Sequence, residues 1–225
     1  MKVIAIIPAR EGSKGIVGKN MKLFNGKPLI EWTINAALKA EFVDRVFVST
    51  DSNQIADFSK SFGLDIPFLR PKELATDVSY VIETVIHTIK IFIEYDYVIL
   101  LQPTSPLRNS NDIDSVIKLS IENDFRSVVA ISEAQYLPQL FYQLKEDTNL
   151  IPLFENNKCF NRQEFSSYYI LNGACYFASR KFLLENKKFI SDDTLGYIMP
   201  KERSIDIDSY YDWSIAEFLK NNFDQ

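Results

Sequence analysis

Residues 6–20 read IIPAREGSKGIVGKN, and this stretch gives the strongest indication of the fold and of the function. It joins an apolar, strand-like run at residues 3–7 to a loop that contains three glycines and three cations. The loop residues are Gly12, Gly15 and Gly18 together with Arg10, Lys14 and Lys19. Glycine permits positive φ and a close approach of amide N–H groups to a ligand, and the cations can share several anionic oxygens. The stretch therefore predicts a polyphosphate site, with a nucleoside triphosphate as the expected ligand.

The loop differs from the two common phosphate-binding signatures. A Walker A loop requires G-x-x-x-x-G-K followed by Ser or Thr, whereas here the Gly18-Lys19 pair comes one residue late and precedes Asn20. The dinucleotide fingerprint requires G-x-G-x-x-G, which the stretch lacks. A glycine-rich surface loop with solvated lysines is therefore the alternative interpretation.

Bulk composition narrows the class of protein. The chain has 225 residues, enough for one medium domain, and we expect residues 1–225 to form a single domain. Its net charge of −5 argues against a nucleic-acid-binding surface, and no apolar run approaches the roughly 18 residues that span a membrane. The two cysteines, Cys159 and Cys175, are too few for a disulfide framework and lack metal-ligand spacing. We therefore expect a cytoplasmic protein with reduced thiols, and neither nucleic acid nor a membrane as partner.

Strand and helix patterns alternate through the first part of the chain. Strand-like runs occupy residues 3–7, 45–49, 66–69, 97–101 and 127–131, and helical patterns occupy 29–39, 52–62, 80–93 and 112–123. Several strands are almost continuously apolar, as expected where helices cover both faces of a parallel sheet. Repeated βα units predict an open, mostly parallel α/β sheet, which binds ligands beyond the carboxyl ends of its strands. The glycine loop follows the first strand and therefore lies at that edge.

Between residues 132 and 172 the alternation stops. Scattered aromatic residues, prolines and polar residues replace it, without a helical period. Because so long an unstructured loop is uncommon inside a compact domain, we expect strands or an extended arm that packs away from the main sheet. A dimerisation arm would account for its aromatic residues, so we predict a homodimer. A strand at 174–179 and helices near 181–185 and 211–221 complete the predicted fold.

Residues 204–208 read SIDID and place two carboxylates two positions apart. In a strand, Ile205 and Ile207 point to one face while Asp206 and Asp208 point to the other. Two such carboxylates can hold Mg²⁺, with water and phosphate oxygens completing its octahedral coordination. An edge strand with a solvated acidic face is the alternative, since alternation is common. Because a triphosphate site requires a metal, we predict that this pair binds Mg²⁺ beside the nucleotide.

Residues 100–108 read LLQPTSPLR and form the carboxyl end of a predicted strand. Two prolines restrict this turn, while Gln102, Thr104 and Ser105 offer hydrogen-bond donors and acceptors. The turn is a candidate binding segment. The alternative is a β-to-α connection in which Thr and Ser cap the next helix.

Taken together, the motifs show a family resemblance. In chain order they are PAREGSKGIVGKN at 8–20, VSTDS at 48–52, LRPKELATD at 69–77, LLQPTSPLR at 100–108, RQ at 162–163, NGACY at 172–176 and SIDID at 204–208. They closely resemble those of the acylneuraminate cytidylyltransferases, the CMP-sialic acid synthetases, from residue 3 to about residue 218. The resemblance implies a Rossmann-like nucleotidyltransferase fold. It also implies that CTP and a nine-carbon 2-keto sugar acid give the CMP-sugar and pyrophosphate.

The resemblance further implies a role for each matched residue. Those implied to bind CTP are Arg10, Ser13, Lys14, Lys19, Asn20, Arg70, Asp77, Ser79, Thr104 and Ser105. Those implied to flank the sugar are Gln102, Arg162, Gln163, Asn172, Tyr176 and Phe189. Lys19, Arg10 and Asp208 are implied to be catalytic, with Asp206 and Asp208 binding Mg²⁺. Catalysis would rest on positioning and charge neutralisation, and either a metal-bound water or an aspartate would accept the hydroxyl proton.

The motifs leave the acceptor sugar open. Many sialate members carry an arginine two residues before the NG pair, where this chain has Ile170 after two tyrosines. The sequence YYILNG is similar to that of members that activate legionaminic acid. Transfer to legionaminic, pseudaminic or Kdo acceptors is therefore an alternative to N-acetylneuraminic acid. A nucleotide-binding module without turnover is an alternative of another class, although the presence of Lys19, Asp206 and Asp208 together argues against it.

Overall fold

The computed structural model describes residues 1–12, 15–76, 78–146, 148–154 and 167–223. The described strands are β1 (Val3–Pro8), β2 (Leu23–Phe24), β3 (Lys27–Pro28), β4 (Arg45–Ser49), β5 (Tyr97–Leu100), β6 (Val128–Glu133), β7 (Tyr142–Leu144), β8 (Leu150–Pro152), β9 (Tyr169–Ser179) and β10 (Leu195–Ile198). The described helices are α1 (Leu29–Lys39), α2 (Asn53–Lys60), α3 (Val81–Ile91), α4 (Ser110–Ile121), α5 (Arg180–Asn186) and α6 (Tyr210–Phe223). None of these helices has the length and apolar character needed to cross a membrane.

Six of the described strands form the central sheet, in the order β10-β6-β9-β5-β1-β4. Five of them run in one direction, and β9 is antiparallel to both of its neighbours, β5 and β6. The open, mostly parallel α/β sheet predicted from the sequence is thus confirmed. Because β1 lies between β4 and β5, the segments that follow these three parallel strands emerge side by side at one edge.

The central strand β1 anchors the glycine loop. Residues 3–7 are apolar at every position, and all five side chains are fully buried. Both α1 and α3 pack against this strand, while α1 also contacts α4 and α3 contacts α5. Each fully buried Val or Ile side chain contributes about 1.5–3 kcal/mol relative to an exposed one. The loop therefore begins from a fixed point at the sheet edge.

A second, smaller apolar cluster lies apart from the main core. Its buried members are Ile16, Phe24, Leu29, Leu107, Ile207, Trp213 and Ala216. The rings of Phe24 and Trp213 meet edge to face, with centroids 5.6 Å apart. The cluster joins the glycine loop, the turn after β5, the SIDID segment and α6, which are far apart in sequence. It thus holds together the segments that were predicted to bind ligands.

Two of the predicted strands are absent. Residues 66–69 form no ladder, because Pro67 has no N–H to donate. The apolar side chains of Ile66 and Phe68 pack on the core instead. Residues 204–208 also lie outside the sheet, although Ile205 and Ile207 do contact the same apolar cluster, as the alternation predicted. The predicted helices are present, with bounds shifted by a few residues.

The predicted arm contains strands in its described part. β7 and β8 pair as a separate two-stranded antiparallel sheet. The carboxyl end of β6 pairs with the start of β9, where Glu133 lies opposite Tyr169. Exposed apolar side chains here include Leu140, Phe141, Tyr142, Leu144, Leu150, Leu153, Phe154, Tyr169, Ile170 and Leu171. Its role in dimerisation stays a prediction.

Candidate active site

An open cavity of about 350 Å³ lies where the segments after β1, β4 and β5 emerge. The predicted site residues that line it are Arg10, Lys19, Asn20, Arg70, Ser79, Gln102, Thr104 and Asp208. These residues come from the glycine loop, from the stretch before α3, from the turn after β5 and from the SIDID segment. The cavity therefore brings together residues from four of the seven motifs, those at 8–20, 69–77, 100–108 and 204–208, at the carboxyl edge that the sheet topology predicts.

Contacts made by its own residues fix the conformation of the glycine loop. Asn20 is buried, and its side-chain amide donates to the Arg10 carbonyl at 2.9 Å, which ties the two ends of the loop together. Gly18 has a φ of 63° and begins the 3₁₀ turn Lys19–Met21, a conformation that favours glycine. A Cβ atom on Gly15 would lie 2.2 Å from the Asp208 carbonyl oxygen. Only glycine allows the loop to pack so closely on the SIDID segment.

Arg70 is held rigidly beside the loop. It is buried, its Nε donates to the Ser49 hydroxyl at 3.2 Å, and the guanidinium also donates to the Ser49 carbonyl. Burial lowers the pKa of Arg70 to about 10, an effect that Asp51 opposes and Arg10 adds to. Arg70 therefore stays charged at neutral pH. Arg10 and Arg70 line the same cavity, and an anion bound there would reduce the repulsion between their guanidinium groups.

Asp51 fixes the loop relative to β4. Its carboxylate accepts a hydrogen bond from the Glu11 backbone N–H at 3.0 Å. Beside it, the Ala9 N–H donates to the Ser49 carbonyl at 2.9 Å. The start of the glycine loop is thus bonded to the segment that follows the neighbouring strand.

Lys19 links the glycine loop to the acidic segment. Its ammonium donates to the Ile207 carbonyl at 2.6 Å and to the Asp208 carboxylate at 3.1 Å. The lysine side chain is only 11% exposed, whereas that of Asp208 is 79% exposed. The cation is therefore held in place at the cavity wall, while its carboxylate partner remains accessible to a ligand.

Asp206 has one carboxylate oxygen that lacks a hydrogen-bond partner among the described residues. This atom, Oδ1, is buried. Burial raises the pKa of Asp206, Asp208 raises it further, and hydrogen bonding with Thr104 lowers it. A cation would compensate both the buried oxygen and the mutual repulsion of the two carboxylates. The described residues hold no cluster of three or more acidic, His or Cys side chains that could bind a metal by themselves.

Some predicted site residues lie behind the cavity wall. Ser105 is fully buried and does not line the cavity, and its hydroxyl has no hydrogen-bond partner among the described residues. Asn172 is also buried, and its amide bonds Ser204 at 3.0 Å. Direct contact of either side chain with a ligand is thus not supported by its position.

The two predicted aromatic residues pack together in the interior. Phe189 is 7% exposed and belongs to the main core, with its ring centroid 5.7 Å from that of Tyr176. A core position does not support the predicted contact of Phe189 with a sugar. Burial raises the pKa of Tyr176, and the charge of Asp206 raises it further, which places this phenol near the acidic pair. The remaining predicted site residues, Ser13, Lys14, Asp77, Arg162 and Gln163, lie outside the described residues.

The cavity also has lining residues for which no individual binding role was predicted. They are Pro8, Gly15, Leu74, Thr76, Val81, Thr84 and Pro103. Four of them belong to the 72–84 segment, whose position follows from the loop that replaces the expected strand at 66–69. Gly15 had been recognised as part of the loop, yet only the contact with Asp208 shows why glycine is needed there.

Comparison of the sequence with known proteins identifies its family. The family model described as cytidylyltransferase matches residues 4–196. CMP-N,N'-diacetyllegionaminic acid synthase of Legionella pneumophila is 39% identical, over 97% of this chain and 96% of that protein. N-acylneuraminate cytidylyltransferase of Escherichia coli O18:K1:H7 is also 39% identical, over 96% of this chain but 51% of that protein. This chain thus spans about half the length of the second relative.

Solved structures agree on the fold. The structure of CMP:2-keto-3-deoxy-manno-octonic acid synthetase, complexed with CTP, has a TM-score of 0.73 at 16% identity and covers 98% of this chain and 99% of its own. The 4-diphosphocytidyl-2C-methyl-D-erythritol synthase of Anaerococcus prevotii has a TM-score of 0.66 at 13% identity, with 98% and 99% coverage. Since the family model spans most of the chain and the relatives exceed 30% identity, the chain belongs to the cytidylyltransferase family and is a nucleotidyltransferase.

Proposed function

We propose that this protein transfers CMP from CTP to the anomeric hydroxyl of a nine-carbon 2-keto sugar acid and releases pyrophosphate. The acceptor class is N-acetylneuraminic acid or a close relative. The observation that carries the proposal is the convergence of Arg10, Lys19 and Arg70 on one cavity that also contains the exposed carboxylate of Asp208. Such a cavity suits a triphosphate with a bound cation, because positive groups face the phosphates while an acidic group binds the metal.

The residues act mainly by positioning and by neutralising charge. The sugar hydroxyl attacks the α-phosphorus in line with the departing pyrophosphate, so little covalent chemistry falls to the protein. Lys19, fixed by its bonds to the acidic segment, offsets charge at the α-phosphate, and Arg10 holds the leaving phosphates. Asp208 lines the cavity whereas Asp206 does not, which makes Asp208 the carboxylate positioned to accept the hydroxyl proton.

The acidic pair fits a magnesium ion. Mg²⁺ prefers one or two carboxylates, with water and phosphate oxygens in its remaining positions. Asp206 and Asp208 supply two carboxylates, and the unpaired Oδ1 of Asp206 is an oxygen that needs a partner. When bound, the ion supplies charge neutralisation at the phosphates. In the free protein, the Lys19 ammonium compensates part of the Asp208 charge.

Legionaminic acid is the second candidate acceptor. The legionaminic relative from L. pneumophila and the sialate relative from E. coli are both 39% identical to this chain, so overall identity does not distinguish the two acceptors. A relative from Campylobacter jejuni, pseudaminic acid cytidylyltransferase, is 31% identical over 97% of this chain. Ile170 is 57% exposed at the start of β9, where many sialate members carry arginine. An apolar group there favours a deoxygenated, less polar sugar acid over sialic acid.

Pyrophosphate release from CTP, with N-acetylneuraminic, legionaminic, pseudaminic and Kdo acceptors, tests this function. We expect Mg²⁺-dependent release with at least one nine-carbon acid and little with ATP or UTP. Release that is fastest with legionaminic acid would select the second candidate. CTP binding without turnover on any acceptor would instead support a binding module, and absence of both would refute the proposal.

We also propose that the protein acts as a cytoplasmic homodimer, joined through the arm at 132–172. The exposed apolar side chains of β7, β8 and the start of β9 support this, because large exposed apolar patches mark interfaces. Phe141→Asp should therefore give monomers that bind CTP but turn over sugar poorly. Phe218→Asp, at an exposed ring on α6, is the matched control and should stay dimeric. Light scattering that shows a fully active parent monomer would contradict the dimer.

A further inference from the structure

An ion pair with a buried carboxylate lies outside the cavity lining and joins two of the segments that form the cavity. Asp112, in the first turn of α4, is fully buried. It accepts two hydrogen bonds from the Arg203 guanidinium, from Nε at 3.0 Å and from Nη2 at 2.8 Å. The Asn109 backbone N–H and the Tyr197 hydroxyl also donate to it, at 3.1 and 3.4 Å. The carboxylate is thus held from several directions, and Arg203 is held by both ends of its fork.

The positions of the two partners show what the pair connects. Asp112 comes four residues after the LLQPTSPLR turn, and Arg203 ends the 3₁₀ turn Lys201–Arg203, immediately before the SIDID segment. Farther along that segment, the Ile207 N–H donates to the Thr104 carbonyl at 2.8 Å. The end of the acidic segment is therefore bonded to the turn after β5. Arg203, immediately before the start of the segment, is bonded to α4, the helix that follows this turn.

Arg108 ties the same turn to the adjacent strand. It is buried, and its Nη1 atom donates to the Gln102 carbonyl at 3.2 Å and to the Ala174 carbonyl at 2.9 Å. The framework to which Arg203 attaches is thus itself fixed to β9. A movement of Arg203 relative to Asp112 would displace the acidic segment while leaving the framework in place.

Stability alone is a weak reason for such a pair. Asp112 is fully buried while the Arg203 side chain is 34% exposed, and desolvation of the buried carboxylate offsets part of the attraction. A bidentate guanidinium–carboxylate pair does, however, fix orientation more strictly than a single hydrogen bond. Groups that hydrogen-bond metal-binding side chains orient them, and their removal typically costs about 10–100-fold in metal affinity. Arg203 would act in a comparable way through the backbone, since it precedes Asp206 by three residues.

We propose that Asp112 and Arg203 form a positioning pair, which sets where Asp206 and Asp208 present their carboxylates to the cation of CTP. Neither member of the pair lines the cavity, so both act through the segment that follows Arg203. The inference rests on the proposed function, because it concerns the same cation site. It assigns to residues outside all the recognised motifs a measurable effect on metal binding.

The test compares the parent with Arg203→Lys, which keeps the charge and loses the fork, and with Asp112→Asn. The Mg²⁺ concentration for half-maximal pyrophosphate release should rise about 10-fold or more in both variants. Mn²⁺ binding to the protein–CTP complex, followed by electron paramagnetic resonance without sugar, should weaken by a similar factor. The Kd of metal-free CTP should stay unchanged. Arg45→Lys is the matched control. Arg45 pairs with Asp65 at an N–O distance of 2.8 Å, and neither residue lines the cavity.

The outcomes separate this inference from the proposed function. A lower Tm for Arg203→Lys with unchanged Mg²⁺ half-saturation and unchanged Mn²⁺ binding would show a merely structural pair and overturn the inference. If Asp112→Asn does not fold, Arg203→Lys decides. If the parent shows no turnover, the proposed function fails, while Mn²⁺ binding in the presence of CTP still reports on the positioning pair.

Discussion

Replacement of Gly15 by alanine tests the packing of the glycine loop on the acidic segment. The added Cβ would lie 2.2 Å from the Asp208 carbonyl oxygen, whereas real Cβ contacts essentially never fall below 3.0 Å. Because the contact is with backbone, the loop or the segment must move. The required shift is on the order of 1 Å, and a misplacement of that size in a catalytic site can lower the rate by about 10²-fold.

The loop also supplies a matched control. A Cβ on Gly12 would meet nothing within 4 Å, so Gly12→Ala should leave the packing of the loop unchanged and lower kcat far less than Gly15→Ala. We expect Gly15→Ala to lower kcat by about 10²-fold, since Lys19 and Asp208 no longer meet the phosphates in one geometry. Steady-state pyrophosphate release at saturating CTP and Mg²⁺ measures kcat, and thermal unfolding checks the fold. Unchanged kcat in Gly15→Ala, or an equal loss in Gly12→Ala, would refute the reasoning.

Three further predictions concern Lys19, the two aspartates of the acidic segment, and Cys175. Lys19→Ala should lower kcat by about 10²–10³-fold with the fold intact, because one preorganised donor is lost; near-parent kcat would exclude the assigned role. Asp206→Asn and Asp208→Asn should each raise the Mg²⁺ concentration for half-maximal rate, since an amide oxygen is a weaker ligand; unchanged Mg²⁺ titrations, or activity that survives EDTA, would contradict the metal site. Cys175 is buried and its pKa is raised to about 12 by burial, so in a Cys159→Ser background the folded protein should resist thiol reagents at pH 8 and react once unfolded.

Local patterns in the sequence determined the fold class, and the predicted site residues include eight that line the cavity. The apolar run at 3–7 gave a strand buried on both faces, because a residue pattern of that kind excludes solvent on either side. The alternation of strands and helices predicted a mostly parallel sheet, and ligand-binding loops gather at the carboxyl edge of such a sheet. Arg10, Lys19 and Gln102 could therefore be assigned to one site before their positions were known.

Patterns that depend on long-range packing were interpreted less accurately. The 66–69 run has the composition of a strand, but Pro67 cannot complete a ladder, and core packing accounts for the apolar residues. The SIDID alternation was correct for Ile205 and Ile207, yet no strand forms, because apolar contacts and not a ladder hold the segment. Ser105 and Phe189 match motif positions, but the fold buries both.

Only the tertiary structure decided how the site is assembled. That Gly15 abuts the Asp208 carbonyl, that Lys19 bonds the Ile207 carbonyl, and that Arg203 pairs with a carboxylate 91 residues away are contacts between distant segments. A sequence pattern reports the neighbours of a residue along the chain, through periodicity and turn chemistry. Contacts across the fold depend instead on how the sheet, the two apolar clusters and the helices pack, and this packing is determined by many residues together.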